Sequence, residues 1–305
     1  MSLLSIVVPV NNEEESIEPF YAELVRHVSN DFELIWVDDG SQDDTVTKID
    51  NLRKSDNRVK ALVLSRNFGH QSAIIAGLHF AKGETIVVMD GDLQHPPSLI
   101  PQLLQKINEG YDLVSARKTR TQNIGFLKQV TASLFYSLIN FLSSTPIEQN
   151  VSDFRAFRKK VKDAVLQFEE REVFLRGIFG WIGFKSTLID YEPATRKFGS
   201  SKYSFFKMLR LGLKGTTSFS FKPLRLSLLI GTIVSVIAFG FAINALIAYY
   251  NGRTVPGWTS LIIAVALLGG IQLLVIGLIG EYIASLFTEA KKRPLFIIDS
   301  KINLD

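Results

Sequence analysis

Residues 85–94 have the sequence TIVVMDGDLQ, in which a short apolar run ends in two carboxylates that flank a glycine. An apolar run such as Ile86–Met89, bounded by turn residues, is typical of a buried parallel strand. Asp90 and Asp92 then fall on a turn just after that strand, and Gln94 follows two residues later. Ligands of parallel sheets bind beyond the carboxyl ends of the strands, so this stretch indicates both the fold and the position of a site.

The same alternation of strand and helix extends to both sides of this segment. Apolar runs predict the strands, and apolar residues at helical spacing predict the helices between them. The predicted strands are residues 5–10, 32–37, 59–64, 85–89 and 113–116, and the predicted helices are residues 13–28, 43–53, 71–81 and 97–108. This repeat of about 25–30 residues predicts an α/β domain with a Rossmann-like, mostly parallel sheet and helices on both faces.

Polar clusters follow two further predicted strands. Asn11 and Glu13 come directly after the first strand, and Asp38 and Asp39 end the second. Carboxylates in these positions can accept hydrogen bonds from a base N–H or a ribose hydroxyl. If each cluster is considered alone, helix capping and turn formation also explain its residues. Taken together with the Asp90 cluster, the three groups are expected to converge on one crevice.

The turn after the fourth strand offers oxygen ligands for a hard divalent cation. Asp90, Asp92 and Gln94 are the candidate ligands for Mg²⁺ or Mn²⁺, which would neutralise charge on a leaving nucleoside diphosphate. Asp-x-Asp alone is more often a solvated loop, and the position after a buried strand favours the metal site. The chain contains no cysteine, which excludes disulfides, thiolate catalysis and zinc–cysteine sites.

The distribution of charge divides the chain into two parts. Between Leu226 and Gly280 the only charged residue is Arg253, whereas the preceding residues have the mixed charges of a soluble domain. Two apolar helices of this length can cross a hydrocarbon core, and the alternative is two buried helices of a soluble protein. The predicted organisation is a domain at 1–204, an amphipathic juxtamembrane segment at 205–225, transmembrane helices at 226–250 and 260–284, and a tail at 285–305.

Basic residues beside the two predicted spans indicate their orientation. They precede the first span and follow the second, and the loop between the spans has one. These flanking residues are Lys214, Lys222, Arg225, Lys291, Lys292 and Arg293. We therefore expect a multi-pass protein of the cytoplasmic membrane, with its first domain and its tail in the cytoplasm. Residues 126–142 and 205–213 are amphipathic, and either packing against the domain or lying in the membrane interface explains them.

In this order, the polar clusters resemble the GT-A domain of family 2 glycosyltransferases. The resemblance is greatest to the polyprenyl-phosphate branch, which includes dolichol-phosphate mannose synthases and bactoprenol glucosyltransferases. It extends over nearly the whole chain. The segments that carry it are residues 8–13, 37–41, 65–69, 89–97, 150–155 and 196–203, together with the C-terminal stretch 280–294.

The resemblance implies an enzyme that transfers a sugar from a nucleotide-sugar to polyprenyl phosphate, with a divalent metal at Asp90, Asp92 and Gln94. The implied catalytic residues are Asp153, Asp92, Arg196 and Lys202. The implied nucleotide-sugar contacts are Pro9, Asn11, Glu13, Asp38, Asp39, Asp90, Arg117 and Ser201. Glucose from UDP-glucose is the expected donor, and GDP-mannose and modified UDP-pentoses remain open.

An acceptor phosphate is already anionic at neutral pH, so the reaction hardly needs a strong base. Positioning and charge neutralisation are expected to dominate. Asp153 then either orients the acceptor or takes up a residual proton. The resemblance also implies inversion at the anomeric carbon, so an α-linked donor would give a β-linked lipid product.

The sequence speaks against several other classes of protein. The Gln-x-x-Arg-Trp motif of processive polysaccharide synthases is absent. Two spans do not readily enclose the head-group path of a lipid flippase. No Gly-x-Gly-x-x-Gly follows the first strand, which excludes a soluble NAD dehydrogenase. A membrane-tethered nucleotide-sugar-binding protein without catalysis remains an alternative. The expected partners are the donor, the lipid acceptor and the membrane, with no nucleic acid. Glycines 269, 270, 277 and 280 permit close helix contacts and hence a homo-oligomer.

Overall fold

A computed structural model describes residues 3–28, 31–119, 151–171, 173–192, 222–251 and 257–304. These residues belong to two compact units. The first is drawn from Met1–Leu134, Pro146–Ser204 and Lys292–Asp305, and the second from Phe135–Thr145 and Phe205–Lys291. Both predicted amphipathic segments, residues 126–142 and 205–213, lie outside the described residues.

The first unit is an α/β domain built on one twisted sheet. Its strands are β1 (Leu4–Val10), β2 (Phe32–Asp38), β3 (Val59–Leu64), β4 (Thr85–Val88), β5 (Leu113–Lys118), β6 (Val151–Arg158), β7 (Ser186–Tyr191) and β8 (Ile298–Ile302). Across the described ranges these strands are ordered β7-β5-β6-β4-β1-β2-β3-β8. The five strands predicted from the sequence are β1 to β5.

Strand directions divide the sheet. β4, β1, β2 and β3 are mutually parallel, as is the β5–β7 pair. β6 runs antiparallel to both β4 and β5, and β8 runs antiparallel to β3. The predicted parallel α/β sheet is therefore confirmed for β1 to β4, while the sheet as a whole is mixed.

Helices cover both faces of this sheet. They are α1 (Ile17–His27), α2 (Thr45–Ser55), α3 (His70–Phe80), α4 (Ile100–Asn108, preceded by a 3₁₀ turn at Pro97–Leu99), α5 (Lys159–Val165) and α6 (Leu175–Trp181). The first four are the predicted helices, with ends shifted by at most one turn. α1 and α4 share one core with β1 and β2, in which Phe20 and Trp36 meet edge to face at 5.1 Å. α3 packs against the same two strands.

Every residue of β1 and β2 is buried. Full burial of an apolar side chain contributes about 1.5–3 kcal/mol, so these central strands anchor the domain. The polar residues that follow them are thus attached to the most rigid part of the molecule.

The segment predicted as a tail at 285–305 contains a strand that the sequence prediction did not foresee. β8 pairs with β3 in the register Ala61↔Ile302. The Ser65 N–H donates to the Ile297 carbonyl at 2.9 Å, and Asn303 Nδ2 donates to the Asn57 carbonyl at 2.8 Å. This segment therefore returns to the α/β domain after the long helices.

The second unit contains the two long helices predicted from the apolar sequence, α7 (Lys222–Tyr250) and α8 (Trp258–Ala290). Among the described residues, Leu267–Ala290 is the one stretch long and apolar enough to cross a membrane, judged by length and composition. Ser227–Phe241 is a shorter apolar helix. Phe239, Phe241, Leu273 and Leu286 are among the large apolar side chains that these helices leave exposed.

Candidate active site

The order of the strands brings the three polar clusters to one edge of the sheet. β1 lies between β4 and β2, in the registers Val7↔Val88 and Val10↔Asp38. The residues that follow these strands are therefore neighbours, as their positions in the sequence predicted. Pro9 itself lies within β1, opposite Val37.

Asp39 fastens the end of β2 to the loop before α3. Its two carboxylate oxygens accept hydrogen bonds from the Phe68 N–H at 2.7 Å and the Gly69 N–H at 2.9 Å. Its carbonyl accepts from Asn11 Nδ2 at 2.8 Å. The following residue, Gly40, has φ +70°, and a Cβ there would lie 2.5 Å from the Arg66 carbonyl carbon. The close approach of the two backbones therefore requires glycine at position 40.

Asp38 is in a different situation from its neighbour. It is buried, and its Oδ2 accepts the Ser41 N–H at 3.1 Å. Its Oδ1 has no hydrogen-bond partner in the part of the chain that the structure describes. Burial raises the pKa of this carboxyl, and the hydrogen bonds from Ser41 offset that rise only in part. Asp38 thus carries an acceptor that no other described residue satisfies.

The turn after β1 is linked to the turn after β2 by reciprocal hydrogen bonds. The Asn12 N–H donates to Ser41 Oγ at 2.8 Å, and Asn12 Oδ1 accepts from the Gln42 N–H at 2.8 Å. The Glu13 N–H donates to Thr45 Oγ1 at 3.0 Å. Asn11 and Glu13 are therefore held by the turn after β2, at the position where the sequence predicted nucleotide contacts.

The acidic loop, residues 89–95, is held close to β1. A Cβ on Gly91 would lie 2.8 Å from Val10 Cγ1, so glycine allows the approach. Leu93 has φ 61° and nevertheless packs its side chain against the core. Asp92 Oδ1 accepts the Gln94 N–H at 3.0 Å. The loop is therefore fixed by its own contacts with β1 and the core.

Two histidines that show no metal-ligand spacing in the sequence both contact Asp90. His70 Nε2 lies 2.8 Å from Asp90 Oδ1, and buried His95 accepts the Asp90 N–H through Nδ1 at 3.0 Å. Burial acts to lower the pKa of His70, but the adjacent Asp90 outweighs it and raises that pKa. Burial lowers the pKa of His95, which also stacks on Phe154 at 5.2 Å. The two histidines therefore differ, because the pKa of His70 is raised and the pKa of His95 is lowered.

Asp90 remains ionised in this setting. Burial acts to raise its pKa, but His95 and His70 outweigh burial and the pKa is lowered, with a further contribution from the charge of Lys118. Sequence reasoning missed Lys118 and chose Arg117, the preceding residue of β5. In the structure Arg117 forms a two-bond ion pair with Asp190 of β7, at 2.6 and 2.9 Å.

The acidic loop suits an open metal site better than a closed one. Nowhere in the described ranges do three or more His, Cys, Asp or Glu side chains form a cluster able to hold an ion by themselves. Two carboxylates and an amide oxygen are the ligand set of a Mg²⁺ or Mn²⁺ ion that also binds substrate phosphates. Asp90, Asp92 and Gln94 fit that arrangement.

Asp153, on β6, is paired with two arginines. Arg176 on α6 donates Nε and Nη2 to its two oxygens, both at 3.1 Å, and Arg155 Nη2 lies 3.6 Å from Oδ1. Burial acts to raise the pKa of Asp153, but Arg176 and then Arg155 outweigh it and lower that pKa. β6 pairs with β4 in the register Val88↔Arg155, so Asp153 lies beside the acidic loop that follows β4. Arg196, Ser201 and Lys202 lie outside the described residues.

Residues 5–166 match the family model described as glycosyl transferase family 2. The chain belongs to this family. It is therefore a glycosyltransferase, and the α/β domain is its GT-A fold.

Similarity to individual proteins extends over nearly the whole chain. The prophage bactoprenol glucosyl transferase homolog of Escherichia coli K12 is 41% identical over 97% of this chain and 98% of its own length. The bactoprenol glucosyl transferase of Shigella phage SfV is 39% identical over 98% of each. Among solved structures, glucosyl-3-phosphoglycerate synthase from Mycobacterium tuberculosis is 19% identical, with 71% of this chain and 78% of that chain covered and a TM-score of 0.49.

Proposed function

We propose that this glycosyltransferase transfers glucose from UDP-glucose to a polyprenyl phosphate at the cytoplasmic face of a membrane. The observation that carries the proposal is the similarity to bactoprenol glucosyl transferases, about 40% identity over 97–98% of this chain, long helices included. Similarity confined to the α/β domain would support nucleotide-sugar binding alone. Similarity over the apolar helices as well supports an acceptor that resides in lipid.

On this proposal the acidic loop holds the metal together with the donor. Asp92 and Gln94 contribute oxygen ligands, and Asp90 contributes the carboxylate that His70 contacts. When bound, the ion would stabilise the charge that develops on the departing nucleoside diphosphate. Lys118 and Arg117, at the end of β5, are the proposed cations for the same diphosphate, and Ser201 is a further proposed contact.

The nucleoside pocket is proposed at the ends of β1 and β2. Asp38 is suited to accept a base N–H, because its Oδ1 is unsatisfied in the described part of the chain. Asp39 is suited to a different task, because its two oxygens already hold the Phe68 and Gly69 amides. Pro9, Asn11 and Glu13 complete the wall on the β1 side.

The transfer step needs no strong base. An oxygen of the acceptor phosphate attacks the anomeric carbon while the bond to the β-phosphate oxygen of UDP breaks, and UDP leaves with the electron pair. No proton has to move, so positioning and charge neutralisation supply the catalysis. Arg196 and Lys202 are the proposed phosphate-binding cations, and in-line attack inverts the configuration at the anomeric carbon.

Strand β8 constrains how the long helices cross a membrane. α7 and α8 follow β7 and precede β8, and these two strands belong to one sheet. Both ends of the helical segment must lie on the same side, which requires an even number of crossings. A single crossing by Leu267–Ala290 does not meet that condition. We therefore propose two crossings, at 226–250 and 260–284, with the α/β domain and β8 in the cytoplasm.

A transfer assay tests the proposal directly. Purified full-length protein is incubated with radiolabelled UDP-glucose, undecaprenyl phosphate and Mn²⁺ or Mg²⁺, and the lipid fraction is counted with and without EDTA. Label that appears in the lipid and disappears with EDTA is the expected result. Label obtained only from GDP-mannose or a UDP-pentose would change the donor. Failure with every donor would favour a binding protein without catalysis.

The stereochemistry of the product tests the proposed mechanism separately. Inversion predicts a β-linked glucosyl lipid from the α-linked donor, which the anomeric proton coupling in the NMR spectrum distinguishes from an α-linked one. An α-linked product would refute in-line attack while leaving the donor and acceptor assignments in place.

A further inference from the structure

The Asp153–Arg176 pair has a geometry that fixes the arginine in one orientation. Two parallel N–H···O bonds join the guanidinium to the carboxylate, both at 3.1 Å. A bidentate pair of this kind restricts rotation of the guanidinium much more than a single contact does. Asp153 is largely buried, with a side-chain exposure of 15%, whereas Arg176 is exposed to 39%. The carboxylate is thus the more buried partner of the pair, and the arginine side chain is the more exposed one.

The backbone that carries Arg176 is also fixed. The Leu175 N–H, at the start of α6, donates to Gln71 Oε1 in the first turn of α3 at 3.2 Å. Phe179, further along α6, packs against Phe157 of β6 at 5.2 Å and lies under the Arg155 guanidinium at 4.3 Å. α6 is therefore attached both to the helix that begins with His70 and to the strand that carries Asp153.

This position adjoins three carboxylates. Arg176 is bonded to Asp153, and the preceding residue, Leu175, is bonded to Gln71. Gln71 follows His70, which lies 2.8 Å from Asp90 in the same loop as Asp92. An anionic acceptor that enters such a region is repelled unless a cation lies on its path. Arg155 is 3% exposed and cannot serve this purpose, because a ligand does not reach it. Arg176 is the cation of the pair that a ligand can reach.

We propose that Arg176 binds the phosphate of the lipid acceptor, and that Asp153 is a positioning residue that acts by holding the Arg176 guanidinium. The assignment rests on the proposed function and names the acceptor subsite of the same active site. It replaces the interpretation of Asp153 as a base. A phosphate acceptor offers no proton that must be removed, and the paired Asp153 is a weak base.

Steady-state kinetics on the full-length protein test the assignment. Arg176→Gln is expected to raise the KM for undecaprenyl phosphate roughly 10- to 100-fold, the loss expected for one charge-assisted phosphate contact. The KM for UDP-glucose should change less than about twofold. Arg176→Lys should recover part of the loss, because a point charge remains without the fork geometry.

Asp153→Asn distinguishes a positioning role from a catalytic one. It should raise the same acceptor KM by a smaller factor than Arg176→Gln and leave kcat nearly unchanged. In the double variant it should add little to Arg176→Gln, because both changes remove one interaction. Arg58→Gln is the matched control, since it breaks a similar arginine–aspartate pair with Asp56 away from this site. Thermal unfolding shows that each variant is folded.

Three results would overturn the assignment. The first is a large loss of kcat in Asp153→Asn while Arg176→Gln leaves the KM for the acceptor unchanged. That result would mean that Asp153 acts directly in catalysis and not through Arg176. A raised KM for UDP-glucose instead would place Arg176 on the donor diphosphate. If the wild-type enzyme glucosylates no prenyl phosphate, the proposed function fails first and the acceptor subsite fails with it.

Discussion

The two halves of the sheet hold their carboxylates by different means. In the parallel half, formed by β1 to β4, Asp39 is held by the backbone N–H groups of Phe68 and Gly69. In the mixed half, formed by β5 to β7, Asp153 and Asp190 are held by arginine side chains. A backbone donor has few alternative positions, whereas an arginine has many rotamers. The first half thus holds its carboxylates with main-chain donors, and the second half holds them with paired side chains.

This difference matches what each half is proposed to bind. The base of a nucleotide is planar and rigid, and a site held by backbone donors suits it. A lipid phosphate reaches the enzyme on a flexible chain, and an arginine held by a carboxylate presents a fixed positive charge to it. The predictions that follow test whether the two halves differ in this way.

The largest effect is expected at the acidic loop, which lies beside both halves. Asp92→Ala should lower the rate of transfer about 10³-fold, because a metal ion contributes several kcal/mol to stabilising the leaving group. The melting temperature should hardly change, since Asp92 is in a loop. Transfer of label from UDP-glucose to lipid is the measurement. Asp163→Ala, which removes an exposed carboxylate of α5, is the control, and activity above about a tenth of wild type in Asp92→Ala would contradict the metal assignment.

The next effect concerns the backbone-held carboxylate. Asp39→Ala should lower the free energy of unfolding by about 3 kcal/mol, because two hydrogen bonds to a charged group are lost. Chemical denaturation followed by tryptophan fluorescence measures it.

Asp38→Asn is the matched comparison for Asp39→Ala. It should leave stability unchanged or slightly higher, because a buried carboxylate with an unsatisfied oxygen is removed, while the KM for UDP-glucose rises. Equal losses of stability in the two variants would show that the aspartates do not divide the tasks as proposed.

A pH effect is expected at the amino ends of the parallel strands, away from the polar clusters, where Glu33 lies in β2. Buried Glu33 accepts bonds from Ser5, Lys60 at 2.6 Å and the Lys82 N–H at 2.7 Å. Burial acts to raise the pKa of Glu33, but Lys60 and Ser5 outweigh it and lower that pKa below the unfolded value near 4.5. This stabilisation is therefore complete above the unfolded pKa and is lost as the pH falls through the folded one.

Glu33→Gln isolates that contribution. It should cost about 2 kcal/mol at neutral pH, and the difference from wild type should shrink as the pH falls below 4.5. Denaturation curves between neutral pH and acid provide the test. A difference that stayed constant with pH would mean that the charge of Glu33 contributes nothing.

The smallest effect is expected for the exposed pair of the mixed half. Arg117 lowers the pKa of Asp190, yet both side chains are about half exposed, at 44% and 51%. Asp190→Asn should change the melting temperature within experimental error, because surface ion pairs contribute little. A clear loss of melting temperature would show that side-chain pairs in this half contribute as much to stability as the backbone hydrogen bonds of the other half.

The parallel half was predictable because its signals are local. Val7, Ile35 and Val88 lie in continuous apolar runs, and each run ends in turn residues within the next few positions. Those runs predict the strands. Because the carboxyl ends of parallel strands lie at the same edge of a sheet, the polar clusters are expected to be neighbours. No knowledge of distant partners was needed.

The mixed half depends on pairings between distant residues. Arg176 and Asp153 are far apart in sequence and on different elements, so no spacing indicates their contact. Lys118 was missed because nothing in the sequence places the end of β5 near Asp90, whose pKa the charge of Lys118 lowers. β8 was missed because IDSKI has apolar residues only at its ends and is recognised as a strand only beside β3.

Strand β8 also has a consequence for how the protein folds during its synthesis. It is synthesised after α7 and α8, so β3 remains an open edge while the ribosome makes both long helices. An uncovered edge is a template for pairing with other chains. The α/β domain therefore completes its sheet only after the helices have left the ribosome, and a chain interrupted before Ile298 would expose that edge to aggregation.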